Sequence, residues 1–397
     1  MLTTVRRDTK TKGLQILVVE LEPTPYKADL WNAFSDSNEV QLSVIYTEQK
    51  NWAPDGGHNY QKWPDRRHEY IILNGFGIFG RLHSAIFVAS KIFRSQVDLI
   101  FIAGYDRLAT ITAIFCALIK CKRFVVHGDV LNNMWPSGRL AWLKLIFRES
   151  LRKTILLRGD AVLVCGRRGI ESAVQAGFPR KKILDFPYVI DVKRIKLDEP
   201  VDIPVVCLDD LENKRIVIFF SGRMIPRKGL PILLEALSRL EKNDQEWVIW
   251  IEGSGPEILH YRELTRQMKL DKHCRFLGFC QYDVHSWLIR NTNIVVVPST
   301  EDPWGIIVDE GMQLGKAVVA SDATGSGYDR IDHGKNGYLF KSGSVEELAH
   351  RLSELINDYN LRKYLGCNAT SNPKNLRPID NLDNLLQLIR SGYGLTK

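Results

Sequence analysis

Residues 293–315 read NIVVVPSTEDPWGIIVDEGMQLG. Asn293–Val297 holds four successive β-branched residues, Ile294–Val297, closed by Pro298, and reads as a buried strand. Ser299–Gly305 is a turn, because Pro303 removes an amide donor and Gly305 relaxes the backbone. From Gly305 the spacing becomes helical, and Gly315 stands where that helix would stop. The same strand–turn–helix grammar recurs on both sides. Strands are expected at 215–220 (RIVIFF), 247–252 (WVIWIE), 274–279 (CRFLGF), 317–320 (AVVA) and 337–340 (GYLF). Helices are expected at 231–241, 257–269, 283–290, 305–314 and 344–357. Further upstream, 14–20, 41–46, 98–103, 122–126 and 161–165 read as strands, with helices over 81–95 and 107–120. A charged stretch at 191–213 reads as a linker. Strands alternating with helices imply βαβ units and parallel sheets, so the expected class is α/β, with two Rossmann-like, doubly wound domains in series. Ligands of such sheets sit beyond the carboxyl ends of the strands, and with two domains the natural place is a cleft between them.

Length and composition agree. The chain has 397 residues, 45% hydrophobic and 25% charged, with 29 glycines and 16 prolines, an ordinary globular mixture that suits two domains and excludes disorder, collagen and coiled coil. A formal net charge of +8 favours anionic partners. Its basic residues are spread out and belong to no recognised nucleic-acid module, so nucleic acid is not an expected partner. Seven cysteines form no Cys-x-x-Cys pair and no Cys/His cluster at zinc spacing. That pattern, with no apolar segment behind the polar residues 1–12, implies a reduced, cytoplasmic setting. The longest apolar stretch, near 108–119, is short of a membrane span.

Chemistry-bearing residues gather at strand ends. After 215–220 come Ser221, Gly222 and Arg223, then Pro226-Arg227-Lys228-Gly229. Arg223 and Lys228 before a helix start suit an anion, because helix N–H groups add to their charge. A solvated basic turn is the plainer alternative. After 247–252 come Gly253 and Gly255, which permit close approach to the backbone. They lack the third glycine of a dinucleotide fingerprint. After 293–297 come Asp302 and Glu310, carboxylates suited to sugar and ribose hydroxyls, with the backbone amides near Gly305 and Ile306 suited to phosphate. Helix capping by Glu301, Asp302 and Asp309 is the alternative. His127 ends strand 122–126 beside Gly128, where a functional and a structural histidine are both compatible with the sequence.

Together these segments resemble glycosyltransferase family 4, the retaining transferases of GT-B fold that use nucleotide sugars. The resemblance rests on Ser221–Leu230, Glu252–Pro256, Phe276–Gly278, Pro298–Gly315, Ala317–Asp322 and Gly334–Leu339, covering most of 214–360. It is looser upstream, at Glu22–Tyr26 and His127. It implies an acceptor-side domain over 1–195, a donor domain over 196–375, and a C-terminal helix within 376–397 packing back on the first domain. It implies a metal-independent transferase of EC 2.4 with no cofactor. Arg223 and Lys228 match the basic pair on the donor diphosphate, and Glu310 matches the second acid of the Glu-x7-Glu motif, on ribose. The first acid falls on Asp302, on the transferred sugar, with Trp304 and Gly305 in the aromatic–glycine positions. His127 matches the histidine near the reacting carbon, and Tyr26 lies on the donor-facing loop. This chain departs from the pattern at Asp302, one methylene shorter than glutamate. Counting from Glu301 would instead reach Asp309; the Asp302/Glu310 register fits the helix that follows.

The acceptor implied is a glycan or lipid-linked intermediate in polysaccharide or glycolipid synthesis. Segments 75–94 and 137–158 mix bulky apolar and basic residues, suiting either an anionic membrane surface or core-facing helices with basic outer faces. Two other readings stay open: a GT-B nucleotide-sugar epimerase, and a catalytically weakened nucleotide-sugar-binding partner of another transferase.

Overall fold

The computed structural model describes residues 13–48, 67–73, 77–129, 141–197, 202–240, 246–372, 374 and 377–390. These fall into two compact units: the first holds the described residues up to Tyr188 together with 377–390, the second those from Val189 through 374.

In the first unit seven strands form one parallel sheet: β1 (Leu14–Glu20), β2 (Val40–Tyr46), β3 (Glu69–Ile72), β4 (Leu99–Ala103), β5 (Arg123–Gly128), β6 (Ala161–Val164) and β7 (Ile183–Asp185), in the order β3-β2-β1-β4-β5-β6-β7. Its central strands are buried on both faces, as continuous Val/Ile/Leu runs require. Helices α1 (Pro25–Asp36), α2 (Gly77–Arg94), α3 (Leu108–Ile119), α4 (Ala141–Arg158) and α5 (Gly166–Gln175) connect them. Pro25 opens α1 at a position where the missing amide costs nothing.

The second unit begins with α6 (Val192–Leu197) and α7 (Val205–Glu212). Its parallel sheet contains β8 (Ile216–Ser221), β9 (Trp247–Glu252), β10 (Cys274–Gly278), β11 (Ile294–Val297), β12 (Ala317–Ser321) and β13 (Tyr338–Phe340), ordered β10-β9-β8-β11-β12-β13. The helices are α8 (Leu230–Ser238), α9 (Ile258–Gln267), α10 (Tyr282–Arg290), α11 (Ile306–Gln313), α12 (Gly325–Arg330), α13 (Val345–Asn357) and α14 (Tyr359–Thr370). Ser344 caps α13 by accepting from the Glu347 amide, and Asp358 caps α14 through Leu361. In both sheets the order reverses beside the first strand of the unit, so the loops after β1 and β4, and after β8 and β11, flank a topological switch point.

Helix α15 (Pro378–Arg390) belongs to the first unit. Its Leu382, Leu385, Leu386 and Ile389 form one buried stripe, it packs on α1, and the Asn381 side-chain amide donates to the Pro187 carbonyl at 2.8 Å.

Two features differ from the sequence reading. The stretch 191–213 is not a plain linker. Helix α6 packs on α10, and α7 ends in the fully buried Asp210, which accepts from Trp250 Nε1 at 3.0 Å, Arg275 Nη2 at 2.9 Å and Arg215 Nη1 at 2.8 Å. A buried carboxylate with two guanidinium partners holds the segment to the second sheet, so the units part at 188/189 and not at 195/196. Strands β3 and β7 also escape the reading, because most of their residues are exposed or half-buried and leave no apolar run. Among the described residues no helix is long and apolar enough to cross a membrane.

Candidate functional site

In the second unit three strand-end loops are stitched by their backbones. The Gly222 amide donates to the Glu252 carbonyl at 3.1 Å, Met224 to Ser254 at 2.9 Å, and Gly253 to Gly278 at 2.7 Å. Gly253 has φ +122°, and a Cβ there would stand 1.9 Å from the Gly222 carbonyl oxygen, so only glycine permits this approach. Ser221 and Gly222 are half-buried, whereas Arg223 is exposed at the end of the same loop.

A second junction joins the loops after β8 and β11. Gly229, with φ +71°, leaves no room for a Cβ, which would lie 1.9 Å from the Pro298 carbonyl oxygen. The Thr300 amide donates to the Arg227 carbonyl at 2.8 Å, and Arg227 Nη1 to the Glu301 carbonyl at 2.9 Å. This contact brings Lys228 Nζ to 2.6 Å from Asp302 Oδ2, with Ser299 Oγ 3.4 Å from the same oxygen. Lys228 carries three N–H donors, and among the described residues Asp302 takes one of them. The structure therefore brings together Lys228 and Asp302, which the resemblance assigns to different parts of one ligand.

The four carboxylates around the Pro303-Trp304-Gly305 turn separate cleanly. Glu301 is exposed. Asp309 is buried and accepts from Trp304 Nε1 at 2.8 Å and Arg330 Nε at 3.0 Å. Burial pushes the Asp309 carboxyl up, and Arg330 pulls against that shift. Asp309 is thus committed to the fold. Trp304 is 3% exposed, with the Arg330 guanidinium 5.2 Å from its ring centroid. Its indole anchors the turn and offers no open face to a ligand, so any donor contact by Trp304 falls to its main chain. Gly305 precedes α11, whose first turn closes with the Val308 amide donating to the Gly305 carbonyl at 3.0 Å and which has no side-chain N-cap.

Glu310, also buried, projects from α11. Its Oε2 lies 3.1 Å from His285 Nε2, and His285 Nδ1 lies 2.7 Å from Glu252 Oε2 at the end of β9. Burial alone would lower the His285 pKa, but the two carboxylates overturn that and hold it well above the ordinary histidine value. The sequence reading missed His285 and gave Glu252, the first residue of the Glu252–Pro256 segment, no role of its own. A histidine inside an amphipathic helix carries no sequence signal of its own; the wide separation of 252, 285 and 310 conceals the triad until the sheet is assembled.

In the first unit, His127 ends β5 and is buried among Phe101, Phe186 and Tyr188, with ring centroids at 5.7, 5.5 and 5.5 Å. Burial lowers its pKa against the pull of Asp129, so the imidazole is held toward its neutral form. Its Nε2 lies 3.8 Å from Cys165 Sγ. Tyr188 donates to Asp129 Oδ1 at 2.6 Å, and Tyr26 packs edge-on against Tyr188 at 4.7 Å. Burial raises the Cys165 thiol well above its usual range, which leaves it inert. Tyr188 and Cys165 are thus further neighbours of His127 and Tyr26 that spacing alone does not reveal. Among the described residues no three His, Cys, Asp or Glu side chains could share a metal ion.

Residues 209–372 match the family model described as "Glycosyl transferases group 1". The chain is 29% identical over 214 residues to the lipopolysaccharide core biosynthesis glycosyltransferase LpsE of Rhizobium meliloti, covering 52% of this chain and 57% of that protein. It is 29% identical over 160 residues to an uncharacterised glycosyltransferase of Methanocaldococcus jannaschii, covering 40% of each. The chain thus spans less than two thirds of the length of these relatives. Among solved structures it resembles Anabaena HepE in complex with UDP-glucose, with a TM-score of 0.74 at 18% identity, covering 95% of this chain and 100% of that one. At that identity the likeness speaks for the fold alone, the two-domain GT-B architecture. The match to the glycosyl transferases group 1 model thus lies within the second unit, at residues 209–372.

Proposed function

We propose that this protein is a retaining glycosyltransferase that moves a sugar from a nucleoside diphosphate sugar to a glycan or lipid-linked acceptor, without a metal ion. The observation that carries the reading is the grouping in one unit of Lys228, Asp302 and Glu310 around the start of α11, with Arg223 on the loop after β8. In this reading Arg223 and Lys228 hold the diphosphate and offset its growing charge as the sugar leaves. Glu310 accepts from the ribose hydroxyls, Asp302 binds a hydroxyl of the transferred sugar, and the amides of Gly305 and Ile306 face phosphate. Gly253 and Gly255, with Ser221 and Gly222, form the wall that the nucleotide approaches. His127, neutral and fixed by aromatic neighbours, contacts the sugar near its reacting carbon, and Tyr26 flanks it.

The reaction is front-face substitution. The bond from the anomeric carbon to the donor phosphate oxygen breaks, a bond to the acceptor oxygen forms on the same face, and the acceptor proton passes to the departing phosphate. No protein nucleophile takes part. HepE, solved with UDP-glucose, supports a nucleotide-sugar donor, and LpsE supports an acceptor in surface-glycan synthesis. Exposed Ile78 and Phe79 on α2 and Trp142 and Ile146 on α4, beside Arg81 and Arg148, support docking on an anionic membrane carrying that acceptor.

Calorimetry with UDP and GDP tests the donor site. Wild type is expected to bind one of them in EDTA, and Glu310→Ala to bind it about tenfold or more weakly, the loss of hydrogen bonds to a charged group. No binding of either nucleotide would overturn the reading.

A further inference from the structure

Glu252, His285 and Glu310 come from β9, α10 and α11, and all three are buried. His285 is the bridge: its Nδ1 lies 2.7 Å from Glu252 Oε2 and its Nε2 lies 3.1 Å from Glu310 Oε2. An imidazole with a carboxylate oxygen at each nitrogen satisfies both only when both nitrogens carry protons. The ring is therefore an imidazolium between two carboxylates. The remaining neighbours are Phe219 on β8, with centroids 6.0 Å apart, and Tyr282 on its own helix, at 5.6 Å. Cys280, just before α10, is pushed up to a non-ionising thiol chiefly by burial. Among the described residues no other charged side chain is recorded against the ring.

The geometry has a consequence for Glu310. One oxygen of its carboxylate is tied to His285, which fixes the rotation of the group. The second, Oε1, has no hydrogen-bond donor among the described residues. A free carboxylate spins between many orientations, and ordering it on binding costs affinity. A tethered one meets its ligand already oriented.

We propose that His285, seated on Glu252, is a positioning residue that locks the Glu310 carboxylate so that its open oxygen accepts from the ribose hydroxyls of the donor nucleotide. The inference rests on the nucleotide-sugar reading above and adds to it a device for ribose selection. His285 touches neither sugar nor phosphate; it acts through Glu310.

The test separates ribose recognition from nucleotide binding in general. UDP, GDP and their 2′,3′-dideoxy counterparts are titrated by calorimetry into wild type, His285→Leu and His285→Gln. Wild type is expected to prefer the ribose form of its nucleotide by about tenfold or more. In His285→Leu that preference should fall to within about twofold of unity, while affinity for the dideoxy form stays the same. His285→Gln, which keeps an N–H for one carboxylate, should restore part of the preference. A structural role alone would weaken both nucleotides together, and that result would overturn the proposal. So would a wild-type ribose preference that survives in both variants. Should His285→Leu fail to fold, His285→Gln and the wild-type imidazole decide. Nitrogen NMR of wild type should show His285 doubly protonated at neutral pH, and a neutral tautomer there would overturn the proposal. Binding of neither nucleotide by wild type would instead overturn the nucleotide-sugar reading, and this inference with it.

Discussion

Lys228 and Asp302 meet at 2.6 Å with side chains 19% and 8% exposed, so each largely neutralises the other. A lysine that is to hold a diphosphate is thus partly engaged by the very carboxylate assigned to the sugar. The aspartate is one methylene shorter than the glutamate of the motif it resembles and sits directly against the lysine. This pairing predicts a division of effects. Asp302→Asn removes the competing charge, so nucleoside diphosphate affinity should hold or rise by up to about fivefold, while sugar transfer falls about 100-fold. Lys228→Gln should weaken nucleotide binding about tenfold, and lower the melting temperature by leaving Asp302 without its cation. Calorimetry, turnover and thermal denaturation of both variants check this. A tenfold loss of nucleotide affinity in Asp302→Asn would show that Asp302 holds the nucleotide rather than the sugar.

At the scale of elements, eleven strand segments can be read from apolar runs bounded by Gly, Pro and charge, because parallel strands buried on both faces leave that mark. Strand β3, Glu69–Ile72, leaves no such mark, since its residues are exposed or half-buried. Helices α6 and α7 read as linker because their charges mask short apolar contacts, and Asp210 becomes intelligible only beside Trp250, Arg275 and Arg215. The site shows the same division. Lys228 and Asp302 sit on strand-end loops and Glu310 on the helix that follows, within strand–turn–helix motifs that the local sequence marks. His285 and Glu252 do not, because their chemistry exists only once β9, α10 and α11 pack together. Helices α2 and α4 carry the membrane expectation. Ile78 and Phe79 are 82% and 87% exposed, an unusual cost for a surface left in water. The protein should pellet with anionic liposomes at low salt, and Phe79→Ser with Trp142→Ser should cut that binding about tenfold or more. Absence of pelleting at low salt would remove the membrane from the account.

On the scale of the whole molecule, each of the two parallel-sheet units carries its own cluster. The second groups Lys228, Asp302 and Glu310 about the start of α11, the parts the proposed function gives to a charged donor. The first holds the buried, aromatic-walled His127 and the outward apolar residues of α2 and α4. Helix α15 returns the end of the described chain to α1, so the first unit is built from two separate stretches of the described residues. The central claim is that this architecture transfers a sugar from a nucleotide donor. The most direct test is release of nucleoside diphosphate from UDP- and GDP-sugars in EDTA, by wild type and Glu310→Ala. The account predicts release from one donor, unaffected by the chelator and cut about tenfold or more in the variant. Release that requires a divalent metal, or that Glu310→Ala leaves unchanged, would contradict it.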